Sequence, residues 1–233
     1  MGHWLEPVER ALDAAAAPAI ICFRDDDAGW DDAALLRLLD RFDGVPLDVA
    51  VIPAALRPPL AAELRARAGP TLRLHQHGLA HANHEPAGRK CEFGAARPRA
   101  AQRRDIAAGK ERLAELLGAT VDPVFTPPWN RCTADTGRCL VELGFELLSR
   151  ESRAAPFGIR GLHELPVHVD WVRLPREETG ERLAAAIRAG APAGVMFHHA
   201  EMDARSRRAA AELLALVTGH ARARPRSLLE AAR

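Results

Sequence analysis

The residues best equipped for chemistry crowd into one stretch, His75-Gln76-His77-Gly78-Leu79-Ala80-His81-Ala82-Asn83-His84. A lone histidine is usually a hydrogen-bonded structural residue, but four in one irregular segment point to a metal. His77 and His81 stand four apart, so one helical turn would set both imidazoles on one face. Neutral imidazole suits zinc, cobalt, nickel or iron, and a carboxylate from elsewhere would complete the site. His75 and His84 are weaker candidates, for contacts behind the ligands or to a substrate. A second concentration is Arg24-Asp25-Asp26-Asp27. Three adjacent carboxylates repel one another, so a cation, either a metal or an arginine, is their natural compensator. The plainer alternative is a solvated loop whose Asp caps the helix starting near Asp31.

Three further segments carry usable groups. In Thr126-Pro127-Pro128-Trp129-Asn130-Arg131 two prolines stiffen the backbone, and Trp129 could wall a groove or stack on a sugar face. In His168-Val169-Asp170-Trp171 the Asp could orient a His or an Arg. Val195-Met196-Phe197-His198-His199 ends an apolar strand in a titratable pair, and histidine is the side chain best placed to donate a proton near neutral pH. The bland counterparts are a rigid turn with a buried Trp, a capped strand end and a satisfied core histidine.

These segments need elements to hold them. The apolar runs Ala19–Phe23, Leu47–Ile52, Thr71–Leu74, Val124–Phe125, Glu146–Leu148, Val167–Val169 and Val195–Phe197 read as about seven short strands. Between them, helical spacing predicts helices over Asp31–Phe42, Pro58–Ala68, Arg99–Leu117, Thr133–Leu143, Glu177–Ala189 and Asp203–Gly219. Such alternation implies a parallel sheet clothed in helices, open or closed. The first strand-to-helix turn lacks the GxGxxG of a dinucleotide fold. In a barrel the chemistry sits at the C-terminal strand ends, and every polar cluster named above falls there.

Composition narrows the functions. Lys+Arg is 32 against Asp+Glu 31 in 233 residues, a formal charge of +1, so no basic excess drives binding to nucleic acid or anionic lipid. Aromatic residues make up 5% with no Tyr, too few for stacking platforms on single strands. No run approaches the roughly 18 apolar residues of a membrane span. The start lacks a signal peptide's charged region, and Glu6 occupies the Ser/Thr position of a myristoylation motif at Gly2. The four cysteines lack paired spacing and are expected as free thiols. A cytoplasmic protein, a single domain over 1–233, is the expectation.

In their order along the chain, Asp-Asp, His-x-x-x-His, Pro-Pro-Trp, Asp-Trp and an aliphatic-x-x-His strand, these motifs resemble the polysaccharide deacetylase (NodB-homology, carbohydrate esterase 4) superfamily. The resemblance spans Phe23 to His199 and implies a distorted (β/α)7-type barrel with a divalent metal, usually zinc, held by Asp-His-His. It places the general base at Asp26 and the metal ligands at Asp27, His77 and His81. A registration one residue earlier would use Asp25 and Asp26. His198 would be the general acid, with His199 the alternative. Arg24, Asp25, His84, Trp129, Arg131, Asp170 and Trp171 would support substrate, oxyanion or ligands. Three features depart from the pattern, the first being Ala28-Gly29 where the family has Gly-Pro after the Asp pair. The family's third-motif Arg, which holds the base, falls at Thr126, leaving Arg24 or Arg131 to supply that charge. The segment from His84 to Gly94 has no counterpart; it could cover the site, with Arg89 or Lys90 meeting an anionic group.

A metal with three protein ligands keeps room for water, lowers its pKa and polarises a carbonyl. The expectation is therefore a hydrolase that removes an acetyl group from an N-acetylated sugar. The alternatives are a hydrolase of another small amide or cyclic ureide, and a non-catalytic carbohydrate-binding homologue.

Overall fold

The computed structural model describes residues 3–233; the myristoylation question at Gly2 lies outside the described residues. Strands and helices alternate: α1 (Glu6–Asp13), β1 (Ala19–Ala28), α2 (Asp32–Leu39), β2 (Leu47–Val51), α3 (Pro58–Arg67), β3 (Leu72–His77), α4 (Arg99–Leu117), β4 (Val121–Thr126), α5 (Ala134–Glu142), β5 (Leu147–Leu148), β6 (His163–Glu164), β7 (Val169–Asp170), α6 (Arg176–Arg188), β8 (Ala193–His198), α7 (Ala204–Gly219), β9 (Ala223–Pro225) and α8 (Leu228–Ala231). All six expected helices form. The sequence pattern does not single out α1, α8, β6 or β9; α8, β6 and β9 have four residues or fewer, too few to show a period, whereas α1 is as long as α2.

Every strand pair is parallel. The order is β6-β5-β4-β3-β2-β1-β8-β7, with β9 added beside β1, so the sheet is the expected barrel type but stays open between β6 and β7. Its central strands are buried on both faces, which is why β1 opens with the unbroken apolar run Ala19–Phe23 rather than an alternating one. Phe23 and Phe197, on neighbouring strands, stack with ring centroids 6.1 Å apart inside the main core. Helix ends follow ordinary capping: the Asp31 carboxylate accepts from the Ala34 N–H at 3.1 Å, and Pro58 opens α3. Asp31, and none of Asp25, Asp26 or Asp27, caps α2.

The four cysteines are free. No helix among the described residues is long and apolar enough to cross a membrane.

One buried carboxyl makes the fold sensitive to pH. Asp48 of β2 is fully buried, and its Oδ2 accepts from the Leu228 N–H at 2.9 Å, at the start of α8. Burial, with the Asp122 charge added to it, pushes the Asp48 carboxyl up to about 8 against the pull of Leu228 and Arg73. The native state therefore keeps a proton that the unfolded chain releases near pH 4, so stability falls as pH rises toward about 8 and levels off above it. Asp48→Asn retains the acceptor without the charge. Its expected melting temperature at pH 8 exceeds that of the parent by at least about 3 °C. The gap closes toward pH 4 in thermal unfolding followed by circular dichroism. A lower melting temperature at pH 8 would contradict this account of Asp48.

Candidate metal centre and its pocket

The site is built at the C-terminal ends of β1, β3, β4, β7 and β8. On β1 the pairing with β2 runs Arg24↔Asp48 and Asp25↔Val49 but then Ala28↔Val51, so the strand carries an extra residue. Asp27 takes a left-handed φ of 71° there. A bulge of this kind re-aims side chains. As a result Asp26 and Asp27 both border one cavity, which simple alternation would forbid, while Asp25 points away.

Asp27, His77 and His81 bring one ligand atom each to within 4.8 Å of one another. Asp27 Oδ1 lies 3.1 Å from His77 Nε2 and 3.3 Å from His81 Nε2. His77 Nδ1 is 3.0 Å from the Thr126 carbonyl oxygen, which can only accept, so Nδ1 carries a proton and Nε2 is the atom left for a cation. Burial works to raise the Asp27 carboxyl, but the hydrogen bond and charge of His77, with His81 and His198, outweigh it and hold it below the usual range. Burial, then the charge of His77, lowers His81 to about 4, leaving a neutral imidazole with its lone pair available. One carboxylate and two imidazoles, all free of other cationic partners at these atoms, form a donor set suited to a divalent transition metal.

The expected residues are brought together, but the helical turn is not how. His77 ends β3, and the chain reverses through Gly78 at φ 57° and His81 at φ 54° in an irregular loop. Glu92 fixes that loop: its carboxylate accepts from the Leu79 N–H at 3.3 Å and the Ala80 N–H at 2.8 Å. A Cβ at position 78 would lie 2.2 Å from Glu92 Oε2, so the close approach requires glycine. Glu92 belongs to the segment with no family counterpart, and no spacing in the sequence singles it out.

Arg24 settles which arginine accompanies the Asp cluster. Its side chain is fully buried, with Nε 2.8 Å from Asp26 Oδ1 and one terminal nitrogen 2.9 Å from Asp26 Oδ2. The guanidinium also donates to Ser149 Oγ at 2.8 Å and Asn130 Oδ1 at 2.6 Å. Burial opposes ionisation of Asp26, yet Arg24, followed by His77 and His198, keeps its carboxyl below the ordinary range. Arg131 forms no ion pair with Asp26; it donates to the Lys90 carbonyl and borders the cavity.

His198 is the register partner of Asp26 across β1 and β8, borders the cavity and has a buried Nδ1 without a partner. His199 faces the other way. Its Nδ1 lies 2.6 Å from Asp25 Oδ2 and its Nε2 2.6 Å from the Trp30 carbonyl oxygen. Burial disfavours its charge, but Asp25 and the Trp30 carbonyl raise it to about 9, an imidazolium locked by two acceptors. The alternatives Asp25 and His199 thus pair with each other behind the sheet, where they tie the ends of β1 and β8 together.

Other candidates divide. Trp129, Arg131 and Asp170 border the cavity. Asp170, raised by burial, receives the Arg173 N–H at 3.3 Å and lies 3.3 Å from the Arg173 Nε, so of the two expected partners it takes the arginine. His75 is buried against Thr126 Oγ1 at 2.8 Å. Trp171 is not at the site: it is fully buried, donates to the Ser206 carbonyl at 3.2 Å and packs edge-on against Trp4, because it alternates with Asp170. His84 is exposed and outside the cavity, its backbone N–H bonded to the Cys91 carbonyl. Trp30 is a residue the sequence pattern does not single out; it is the exposed large hydrophobic residue of the described chain, at 42%, and its ring lies 4.8 Å from that of His81, as the Trp129 ring does at 4.3 Å. Its position just after the Asp cluster was the available signal. The cavity has a volume of about 590 Å³, enough for a sugar unit and its neighbours.

No family model and no curated protein matches the chain. Solved structures do match in fold. A Mycobacterium smegmatis protein provisionally described as a polysaccharide deacetylase aligns at TM-score 0.69 and 20% identity, covering 94% of this chain and 93% of that one. A family 4 acetyl xylan esterase from Clostridium thermocellum, solved with a cobalt ion, aligns at TM-score 0.62 and 14% identity over 91% and 89%. The chitin deacetylase of the fungus Colletotrichum lindemuthianum aligns at TM-score 0.56 and 16% identity over 93% and 88%. At these identities the likeness is one of fold, and the resemblance read from the sequence is borne out at that level.

Proposed function

We propose that this chain is a divergent polysaccharide deacetylase, a metal-dependent hydrolase that removes the acetyl group from an N-acetylated sugar. The observation that carries the reading is one cavity in which the Asp27, His77 and His81 ligand atoms lie beside an Arg24-paired Asp26 and the unpartnered His198. The fold shared with a chitin deacetylase and with a cobalt-bound esterase supports it.

Asp27, His77 and His81 would hold the metal, zinc first, with cobalt, nickel or iron as alternatives. When bound, a divalent cation supplies Lewis acidity toward the acyl oxygen and acidifies water. The chain's own groups do the rest. Asp26, kept ionised by Arg24, accepts the proton of the attacking water. His198, on the neighbouring strand, delivers a proton to the departing amine nitrogen. Trp30 and Trp129, each with its ring beside His81, present ring surface to the sugar. Because Asp26 acts as a base and forms no bond to substrate, no covalent intermediate is required.

Acetate release from chito-oligosaccharides, followed by a coupled assay with protein reconstituted in zinc or cobalt, tests the reading. Release that depends on the metal is expected. Turnover of a small amide or ureide without acetate would replace the substrate class. Tight glycan binding without turnover in the metal-loaded protein would overturn catalysis and leave a binding homologue.

A further inference from the structure

Part of the cavity lining carries a charge pattern that removal of acetyl from a neutral sugar does not use. Across the whole chain positive and negative side chains nearly cancel, 32 against 31. Along one stretch of the cavity lining they do not: Arg89, Lys90, Arg131 and Arg153 stand there with Glu151, while Asp26, Asp27, Asp170, Arg173, Arg182 and Glu201 line the rest. A second depression of about 350 Å³ continues from the first and shares Arg89, Asn130, Arg131, Glu151 and Arg153 with it.

Several arginines elsewhere on this surface have a carboxylate partner, such as Arg67 with Glu63 and Arg138 with Asp135. Among the described residues Lys90, Arg131 and Arg153 have none within 4.0 Å, and Arg89 reaches Glu151 only at 3.7 Å. Arg131 is held in place, donating to the Lys90 carbonyl at 2.9 Å, while its Nε is buried without a partner. Burial, then the neighbouring charge of Arg89, lowers its guanidinium below the ordinary range against the pull of Glu151. A crowd of guanidiniums with open donors is the arrangement that captures an oxyanion through paired N–H···O bonds. In the second depression Arg150 is balanced by Glu164, and Arg89, Arg131 and Arg153 against Glu151 leave two positive charges, more than one substrate carboxylate would balance and a match for a dianionic phosphate.

We propose that this second depression is a phosphate subsite and that the substrate is an N-acetylated sugar bearing a phosphate group. Asn130 and Arg131 border both depressions, so one molecule can lie with its acetamide at the metal centre and its phosphate against Arg89, Arg131 and Arg153. The sugar part of this proposal rests on the deacetylase reading; the phosphate subsite does not.

Isothermal titration of inorganic pyrophosphate into the metal-loaded protein provides the test. Phosphate bound to the metal contributes equally in parent and variant, so the difference between them reports the subsite. Combined replacement of Arg131→Gln and Arg153→Gln is expected to weaken pyrophosphate at least about tenfold with metal content unchanged. Arg153 is exposed and makes no hydrogen bond in the fold, so Arg153→Glu alone serves as a second variant that retains the structure. It is expected to weaken pyrophosphate by a similar factor. Unchanged affinity in folded variants overturns the subsite, and so does a preference for glucuronate over pyrophosphate. If no N-acetylated sugar releases acetate but pyrophosphate binding still depends on these arginines, the deacetylase reading fails and the subsite stands. If acetate leaves neutral and phosphorylated sugars with the same KM, the subsite falls and the deacetylase reading stands.

Discussion

Replacing His77 with alanine is expected to lower acetate release by at least about 10³-fold and to strip the protein of its metal, because a site of this kind needs three protein ligands. His77 is fully buried, and its ring is oriented by the Thr126 carbonyl so that Nε2 meets Asp27. Neither His75 nor His199 can take its place: His75 lies against the Thr126 hydroxyl, and His199 is committed to Asp25 and Trp30. Metal content by plasma mass spectrometry and initial rates, with circular dichroism to establish folding, provide the check. His77→Gln, closer in volume, serves if the alanine variant does not fold. A folded variant with parental rate and metal content would remove His77 from the site.

The second large effect is expected at Arg24. It is the only cation within ion-pair distance of Asp26 among the described residues, and both side chains are buried. Arg24→Met leaves a buried carboxylate without compensation, a defect that costs about 3–5 kcal/mol. The melting temperature should fall by about 10 °C. Activity should fall at least about 10²-fold, since the displaced Asp26 no longer meets the attacking water. Lysine is not an adequate substitute, because it cannot hold both Asp26 oxygens while also reaching Ser149 and Asn130. Adding Asp26→Leu to Arg24→Met removes the uncompensated charge and should restore much of the stability without restoring activity. Recovery of activity in that double variant would exclude Asp26 as the base.

The sequence showed where the site would be more clearly than how it would be shaped. The positions at strand ends were legible because a parallel strand buried on both faces is a run of apolar residues, and the first polar cluster after it marks the end that carries chemistry. His77 and His81 were legible as a pair, but through the wrong geometry: left-handed turns at Gly78 and His81 do the work assigned to a helical turn. The choice among Asp25, Asp26 and Asp27 could not be read, because a bulge decides it and leaves no compositional trace. Alternation alone could have separated His198 from His199 and Asp170 from Trp171, had the strand registers been known. Glu92 was illegible for another reason. It sits in a polar segment that looks like a surface loop, yet its carboxylate is buried beneath the loop that carries His81. Burial raises its carboxyl against the pull of the Ala80 and Leu79 amides, the signature of a group retained to hold a backbone in place.

The central claim is that Asp27, His77 and His81 form a metal centre. Anomalous diffraction from crystals of the protein grown with zinc or cobalt tests it most directly. One strong peak within bonding distance of the Asp27 carboxylate, His77 Nε2 and His81 Nε2 is the result the account predicts. No peak at that position, or a peak held by other residues, would contradict it.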